Sequence, residues 1–149
     1  MTLKINKIQN QLQNYEIDGL LITKKENRQY ATGFTGSAGV VLISADNAVF
    51  ITDFRYVDQA KSQIKDAEII MHKGNLEKEI ANQVSKLNIQ KLGIEENNMT
   101  LQQYKNLQKC FVSNISCDFH CFYFRHVFNN TNIFDDFAHL NHFHMYAFL

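Results

Sequence analysis

Tyr30-Ala31-Thr32-Gly33-Phe34-Thr35-Gly36-Ser37-Ala38-Gly39 leads straight into two apolar runs, Val40–Ser44 and Ala48–Thr52, and these end on Asp53-Phe54-Arg55-Tyr56. Two apolar runs parted by Ala45-Asp46-Asn47 predict a β-hairpin. The glycine-rich loop before them predicts tight backbone turns, with Phe34 tucked under the hairpin. A phosphate cradle is the competing reading of such a loop, but a dinucleotide fingerprint needs a strand before it and a helix immediately after. Here the order is reversed. Thr23, with Glu26 three residues on, predicts a capping box that opens a brief helix near Lys24–Tyr30, and the loop then runs into a strand.

Working outward, Ile5, Ile8, Leu12 and Tyr15 recur at helical steps, with Lys4, Lys7 and Gln11 facing away. Asp18-Gly19 breaks that helix, and Leu20-Leu21-Ile22 predicts a short buried strand. After the hairpin, Asp53 is placed to cap a helix carrying Val57, Ala60 and Ile64. Ile69–Met71 predicts another strand. Leu76, Ile80, Val84 and Leu87 form a helical stripe with Asn75 as its N-cap, so Ile80 belongs in the core. Leu92-Gly93-Ile94 predicts a strand, and Thr100 with Gln103 predicts a capped helix through Leu101, Tyr104 and Leu107. Helices alternating with strands around an embedded hairpin imply an α/β fold, a mixed sheet flanked by helices.

The chain has 149 residues, and its composition is globular: 45% hydrophobic and 20% charged, with 15 basic against 15 acidic residues. That balance argues against a nucleic-acid or polybasic membrane partner. No apolar run is long enough for a transmembrane helix, and the first residues lack a signal core, so a cytoplasmic protein is expected. Three cysteines, all late in the chain, do not make a disulfide framework. Composition changes near residue 109. The last 40 residues hold 9 of the 12 Phe and 5 of the 6 His, but no Lys, Glu or Gly.

The loop at Tyr30–Gly39 and the strand end Thr52-Asp53-Phe54-Arg55-Tyr56 together resemble the N-terminal domain of Xaa-Pro aminopeptidases and dipeptidases, the creatinase/prolidase N-terminal domain. Asp18-Gly19-Leu20-Leu21-Ile22 and Lys91-Leu92-Gly93-Ile94-Glu95 match in order, so the resemblance spans about residues 1–110. It implies a ribonuclease H-like α/β domain, expected over 1–116, followed by an anomalous tail over 117–149. It also implies a second, catalytic domain in full-length relatives, where two Asp, one His and two Glu bind two divalent metal ions, manganese or cobalt, for hydrolysis. The tail contains no Glu, so no cofactor and no catalytic residue is expected in this chain.

Gly33, Phe34, Gly36, Ser37, Gly39, Asp53 and Tyr56 are then structural motif residues. Arg55 is the candidate for the rim of a neighbouring subunit's active site, since a guanidinium suits a peptide carboxylate. An ion pair within the chain, for instance with Asp58, is its plainer role. A homo-oligomer is expected. Phe111–Ile115 is expected as the domain's last strand, and deletion of 118–149 is expected to leave a folded domain. His139, His142 and His144 with Asp135 and Asp136, and Cys117 and Cys121 with His126, form loose metal-ligand sets whose spacing matches no recognised finger. The tail's composition is that of an out-of-frame reading, or of a divergent extension packing its Phe on the sheet. Three functions follow: the non-catalytic domain of an Xaa-Pro metallopeptidase, a standalone binding module, or a metal-dependent enzyme using the tail.

Overall fold

The computed structural model describes residues 3–95, 97–112 and 118–122. The chain order is α1 (Leu3–Leu12, extended by a 3-10 turn at Gln13–Tyr15), β1 (Gly19–Ile22), α2 (Lys25–Thr32), β2 (Val40–Ser44) and β3 (Ala48–Thr52). It continues with α3 (Val57–Gln63), β4 (Glu68–Met71), α4 (Leu76–Lys86), β5 (Lys91–Glu95), α5 (Leu101–Val112) and β6 (Asp118–Phe122). These six strands make one mixed sheet in the order β4-β3-β2-β1-β5-β6. The hairpin β2–β3 and the β1–β2 pair are antiparallel, whereas β4 joins β3, and β5 and β6 extend from β1, in parallel.

Alternation along the strands divides the core into two layers. Leu20, Ile22, Val41, Ile43 and Phe50 face one side, where they pack with Ile5, Ile8 and Leu12 of α1 and Ala60 of α3. Leu21, Leu42, Val49, Ile51, Leu92 and Ile94 face the other, against Ile80 and Val84 of α4 and Leu107 and Phe111 of α5. Strands buried on both faces need apolar residues at every position, which is why β1 to β3 read as unbroken hydrophobic runs.

Local chemistry sets the element ends. Asn75 caps α4, its side chain accepting from the Lys78 amide at 2.7 Å. Thr100 and Gln103 form a reciprocal box: the Thr100 amide donates to Gln103 Oε1 at 2.8 Å, and the Gln103 amide to Thr100 Oγ1 at 3.2 Å. Asp18 ties β1 to the start of β5 by accepting from the Gln90 and Lys91 amides at 3.1 and 2.9 Å.

Three expectations are corrected. The Thr23–Glu26 box does not form; α2 starts one residue later, and a carboxylate from β5 takes the capping place. Asp53 lies too far ahead of α3 to cap it, because Tyr56 holds the N-cap position. The last strand is not Phe111–Ile115. Phe111 continues the apolar stripe of α5 into the core, and the strand paired with β5 is Asp118–Phe122. A cut before residue 118 would therefore remove an edge strand.

Candidate functional site

The two marked segments of the sequence meet at one end of the sheet. Helix α2 ends on Gly33, whose φ of 78° is the left-handed turn that opens the loop. The helix thus presents its carboxyl end to the loop, the opposite of what an anion needs. Phe34 then drops into the core with no exposed surface, its ring centroid 4.6 Å from that of Phe50 and 6.2 Å from that of Tyr56. Ser37 Oγ and Tyr56 Oη are hydrogen-bonded at 2.6 Å, and Thr52 Oγ1 donates to the Ala38 carbonyl at 3.1 Å. Loop and strand end are one physical unit, which is why their spacing is informative.

The loop is held by a residue that sequence reasoning passed over. Arg28 of α2 is only 3% exposed, and its Nη1 and Nη2 donate to the carbonyls of Gly39 and Gly36 at 2.6 and 2.8 Å. The loop's carbonyls converge on a cation, so its polarity is that of a stapled turn and not of a phosphate cradle. Burial pulls the Arg28 guanidinium below its ordinary value, opposed by the nearby carboxylates of Glu95 and Glu26.

Glu95 is the second such residue. At the end of β5, and 2% exposed, its Oε2 accepts from the amides of Thr23 and Lys24 at 2.6 and 2.7 Å and from Thr23 Oγ1 at 3.1 Å. Its Oε1 accepts from Asn27 Nδ2 at 2.5 Å. A carboxylate across the first turn of α2 satisfies orphan amides and complements the helix dipole.

On the outer surface, Asp53 and Arg55 form a fork. Arg55 Nη2 and Nε donate to Asp53 Oδ2 and Oδ1 at 2.7 and 3.0 Å, and the Arg55 amide also donates to Oδ1 at 2.9 Å. The ion-pair partner is thus Asp53, not Asp58. The side-chain bond from Arg55 holds the Asp53 carboxyl below the ordinary aspartate range, and the same bond raises Arg55. Arg55 stays 62% exposed at its side chain, stacked 5.5 Å above the Tyr56 ring, and Phe54 beside it is 77% exposed. A fixed guanidinium next to a bare aromatic can hold a carboxylate or meet another protein surface.

Among the described residues, no group of three or more His, Cys, Asp or Glu side chains is arranged to hold a metal ion. His139, His142, His144, Asp135 and Asp136 lie outside the described residues, as do Cys117 and His126, and Cys121 is described only as a backbone position in β6. Among the described residues no helix is long and apolar enough to cross a membrane.

This geometry defines a helix-flanked mixed-sheet α/β domain with its two signature segments locked together at one sheet end. Residues 4–120 match the Creatinase/Prolidase N-terminal domain, and the chain belongs to that family. It is 50% identical over 102 residues to the uncharacterized peptidase YqhT of Bacillus subtilis (strain 168), a match covering 68% of this chain and 29% of that protein. The solved Xaa-Pro dipeptidase from Bacillus anthracis is similar at 42% identity with a TM-score of 0.75, over 80% of this chain and 33% of that one. The N-terminal domain of the cytoplasmic peptidase PepQ from Mycobacterium tuberculosis H37Rv gives a TM-score of 0.76 at 27% identity, over 83% of this chain and 95% of that one. The chain thus spans about a third or less of the whole Bacillus peptidases but nearly all of a solved N-terminal domain.

Proposed function

We propose that this chain supplies the non-catalytic N-terminal domain of a cytoplasmic Xaa-Pro metallopeptidase, associating subunits and shaping the approach to an active site built by a separate domain with two divalent metal ions. The observation that carries this reading is the Asp53–Arg55 fork. It holds an exposed guanidinium at a strand end, beside an exposed Phe54, and on this reading that guanidinium meets the carboxylate of a neighbouring subunit's peptide substrate. On this reading the domain closes with β6, near residue 122, rather than at 116. The residues beyond it are rich in Phe and His and free of Lys, Glu and Gly, and on this reading they are an out-of-frame or divergent extension. The family match ending at residue 120 supports that boundary.

The test joins residues 1–122 to a metallopeptidase domain of the family and substitutes Arg55→Ala. Loss of one carboxylate contact made equally in ground and transition states raises KM about tenfold and leaves kcat unchanged. A substrate with an amidated C-terminus shows no such change. Equal KM for both variants on the free-carboxylate substrate rejects the role of Arg55. Turnover of an Xaa-Pro dipeptide by the present chain alone, with manganese added, rejects the non-catalytic assignment.

A further inference from the structure

The Asp53–Arg55 fork leaves the guanidinium one degree of freedom. Asp53 accepts from Nε and Nη2 of Arg55 at 3.0 and 2.7 Å, which fixes one edge of the group. Two bonds along an edge define a line, and the plane can still hinge about that line. Nη1, off the line, has no hydrogen bond among the described residues, and it moves furthest when the plane hinges. A further contact is needed to set the plane, and the Tyr56 ring supplies it, with the Arg55 guanidinium carbon 5.5 Å above the ring centroid. The ring is itself set from the glycine loop. It stands edge-to-face with the buried Phe34 at 83°, and its hydroxyl is hydrogen-bonded to Ser37 Oγ at 2.6 Å. Gly36 passes so close that a Cβ there would stand 3.0 Å from Tyr56 Cδ1.

We propose that Ser37 and Tyr56 are positioning residues for Arg55: their hydrogen bond fixes the ring, the ring fixes the guanidinium plane, and the plane aims the free Nη1–Nη2 edge at a single carboxylate. This inference rests on the carboxylate reading of Arg55 given above and names what aims it. Nη1 and the outer hydrogen of Nη2 present two parallel N–H groups, the donor pair that one planar carboxylate accepts in bidentate fashion. The other edge is closed to a ligand, because Nε and the inner hydrogen of Nη2 are held by Asp53. A carboxylate therefore meets Arg55 end-on, and a tilt of the plane carries Nη1 out of line with the second oxygen. Ser37 and Tyr56 lie in the two separate segments that mark the sequence, and their bond joins those segments at the one point that bears on Arg55. The loop thus reaches beyond its own packing to the direction in which a charged side chain points.

Ser37→Ala, Tyr56→Phe and the double variant, all in the full chain, test this. Each removes one exposed hydrogen bond and leaves an aromatic ring against Phe34, so circular dichroism should show the fold kept. The Arg55 Nε–H vector lies in the guanidinium plane and turns with it. Its heteronuclear NOE should fall in all three variants, as the plane begins to hinge on the ps–ns scale. Titration with glycyl-proline, followed at the same NMR signal, should give a dissociation constant about three- to tenfold above the parent's, the worth of one net hydrogen bond. Glycyl-prolinamide, which has no carboxylate, should bind to none of the proteins at Arg55. Because the two residues act through one bond, the double variant should match either single one. An Arg55 Nε–H as rigid in the variants as in the parent overturns the proposal, and so do single effects that add in the double variant. Loss of Arg55 order on substitution, in a parent that gives no response to glycyl-proline, keeps the positioning pair and rejects the carboxylate reading, so the two failures are told apart.

Discussion

Gly33 and Gly39 stand at the two ends of one loop, yet alanine should affect them very differently. At Gly33 the backbone has φ 78°, and no atom lies within 4 Å of where a Cβ would stand. Only the left-handed conformation resists the substitution, by about 1–2 kcal/mol. At Gly39 φ is 132°, a region essentially reserved for glycine, and holding another residue there costs about 1–3 kcal/mol. In addition, a Cβ would stand 2.6 Å from Cζ of Phe50 and 3.1 Å from the Ile51 carbonyl oxygen. Phe50 is fully buried against Phe34 and has no room to retreat, so overpacking adds about 1–3 kcal/mol. The carbonyl that Arg28 Nη1 holds at 2.6 Å belongs to the same residue, and any shift of the backbone strains that bond too. Gly39→Ala is therefore expected to lose about 4 kcal/mol and Gly33→Ala about 1 kcal/mol. Equilibrium urea unfolding followed by circular dichroism and tyrosine fluorescence reads the difference as about 1–2 M in midpoint. Equal losses at the two positions, or a larger loss at Gly33, would refute the claim that the loop is packed down onto the hairpin at Gly39.

Glu95→Ala withdraws the acceptor from two amides, a hydroxyl and a side-chain amide and should destabilise the domain by about 3 kcal/mol; a midpoint within 0.5 M of the parent (roughly 1 kcal/mol) contradicts the capping role. Ile80→Ala opens a cavity between α4 and the sheet and should lose about 2–5 kcal/mol in the same assay; an unchanged midpoint means α4 is not packed as described. Because the Asp53 carboxyl is held low in the folded state, its bond with Arg55 contributes fully only above the unfolded aspartate range and is lost as pH falls through the folded value. Carboxyl-carbon NMR should show Asp53 titrating below the ordinary aspartate range and rising in Arg55→Ala; identical titration in both proteins would count against the fork in solution.

The order of elements was legible because most of them carry their own period. The Ile5-Ile8-Leu12 stripe, the two runs of the hairpin and the Leu76-Ile80-Val84 stripe each encode local structure without help from distant residues. The last strand was not legible. Phe111 suits a strand as well as a helix, and what places it in α5 is the core beneath it, shared with Leu107 and Ile80. The site was half legible. Glycines, Phe34 and the Asp53–Tyr56 step announce themselves by turn chemistry, and the meeting of the two segments follows once the hairpin is granted. Arg28 and Glu95 do not announce themselves, since charged residues in a helix and at a strand end normally face water. One signal was available for Arg28: it lies near the end of a helix followed by a tightly turning loop, whose carbonyls, outside any ladder, need donors from elsewhere. Nothing local distinguishes Glu95 from Glu26, which occupies the favoured capping position in the sequence and loses it to a residue about 70 positions away.

That distance has a consequence for how the domain assembles. The first turn of α2 is completed by a side chain that arrives 72 residues later, after the hairpin, β4 and α4 have been laid down. Until β5 docks beside β1, the amides of Thr23 and Lys24 have only solvent to bond with, and the helix that carries Arg28 begins unanchored. Closure of that first turn is thus a non-local contact, the kind that slows folding as sequence separation grows. In the finished domain the same link runs backwards. Any opening that lifts β5 from the sheet also releases the start of α2, so the Thr23 and Lys24 amides should exchange with solvent in step with those of β5.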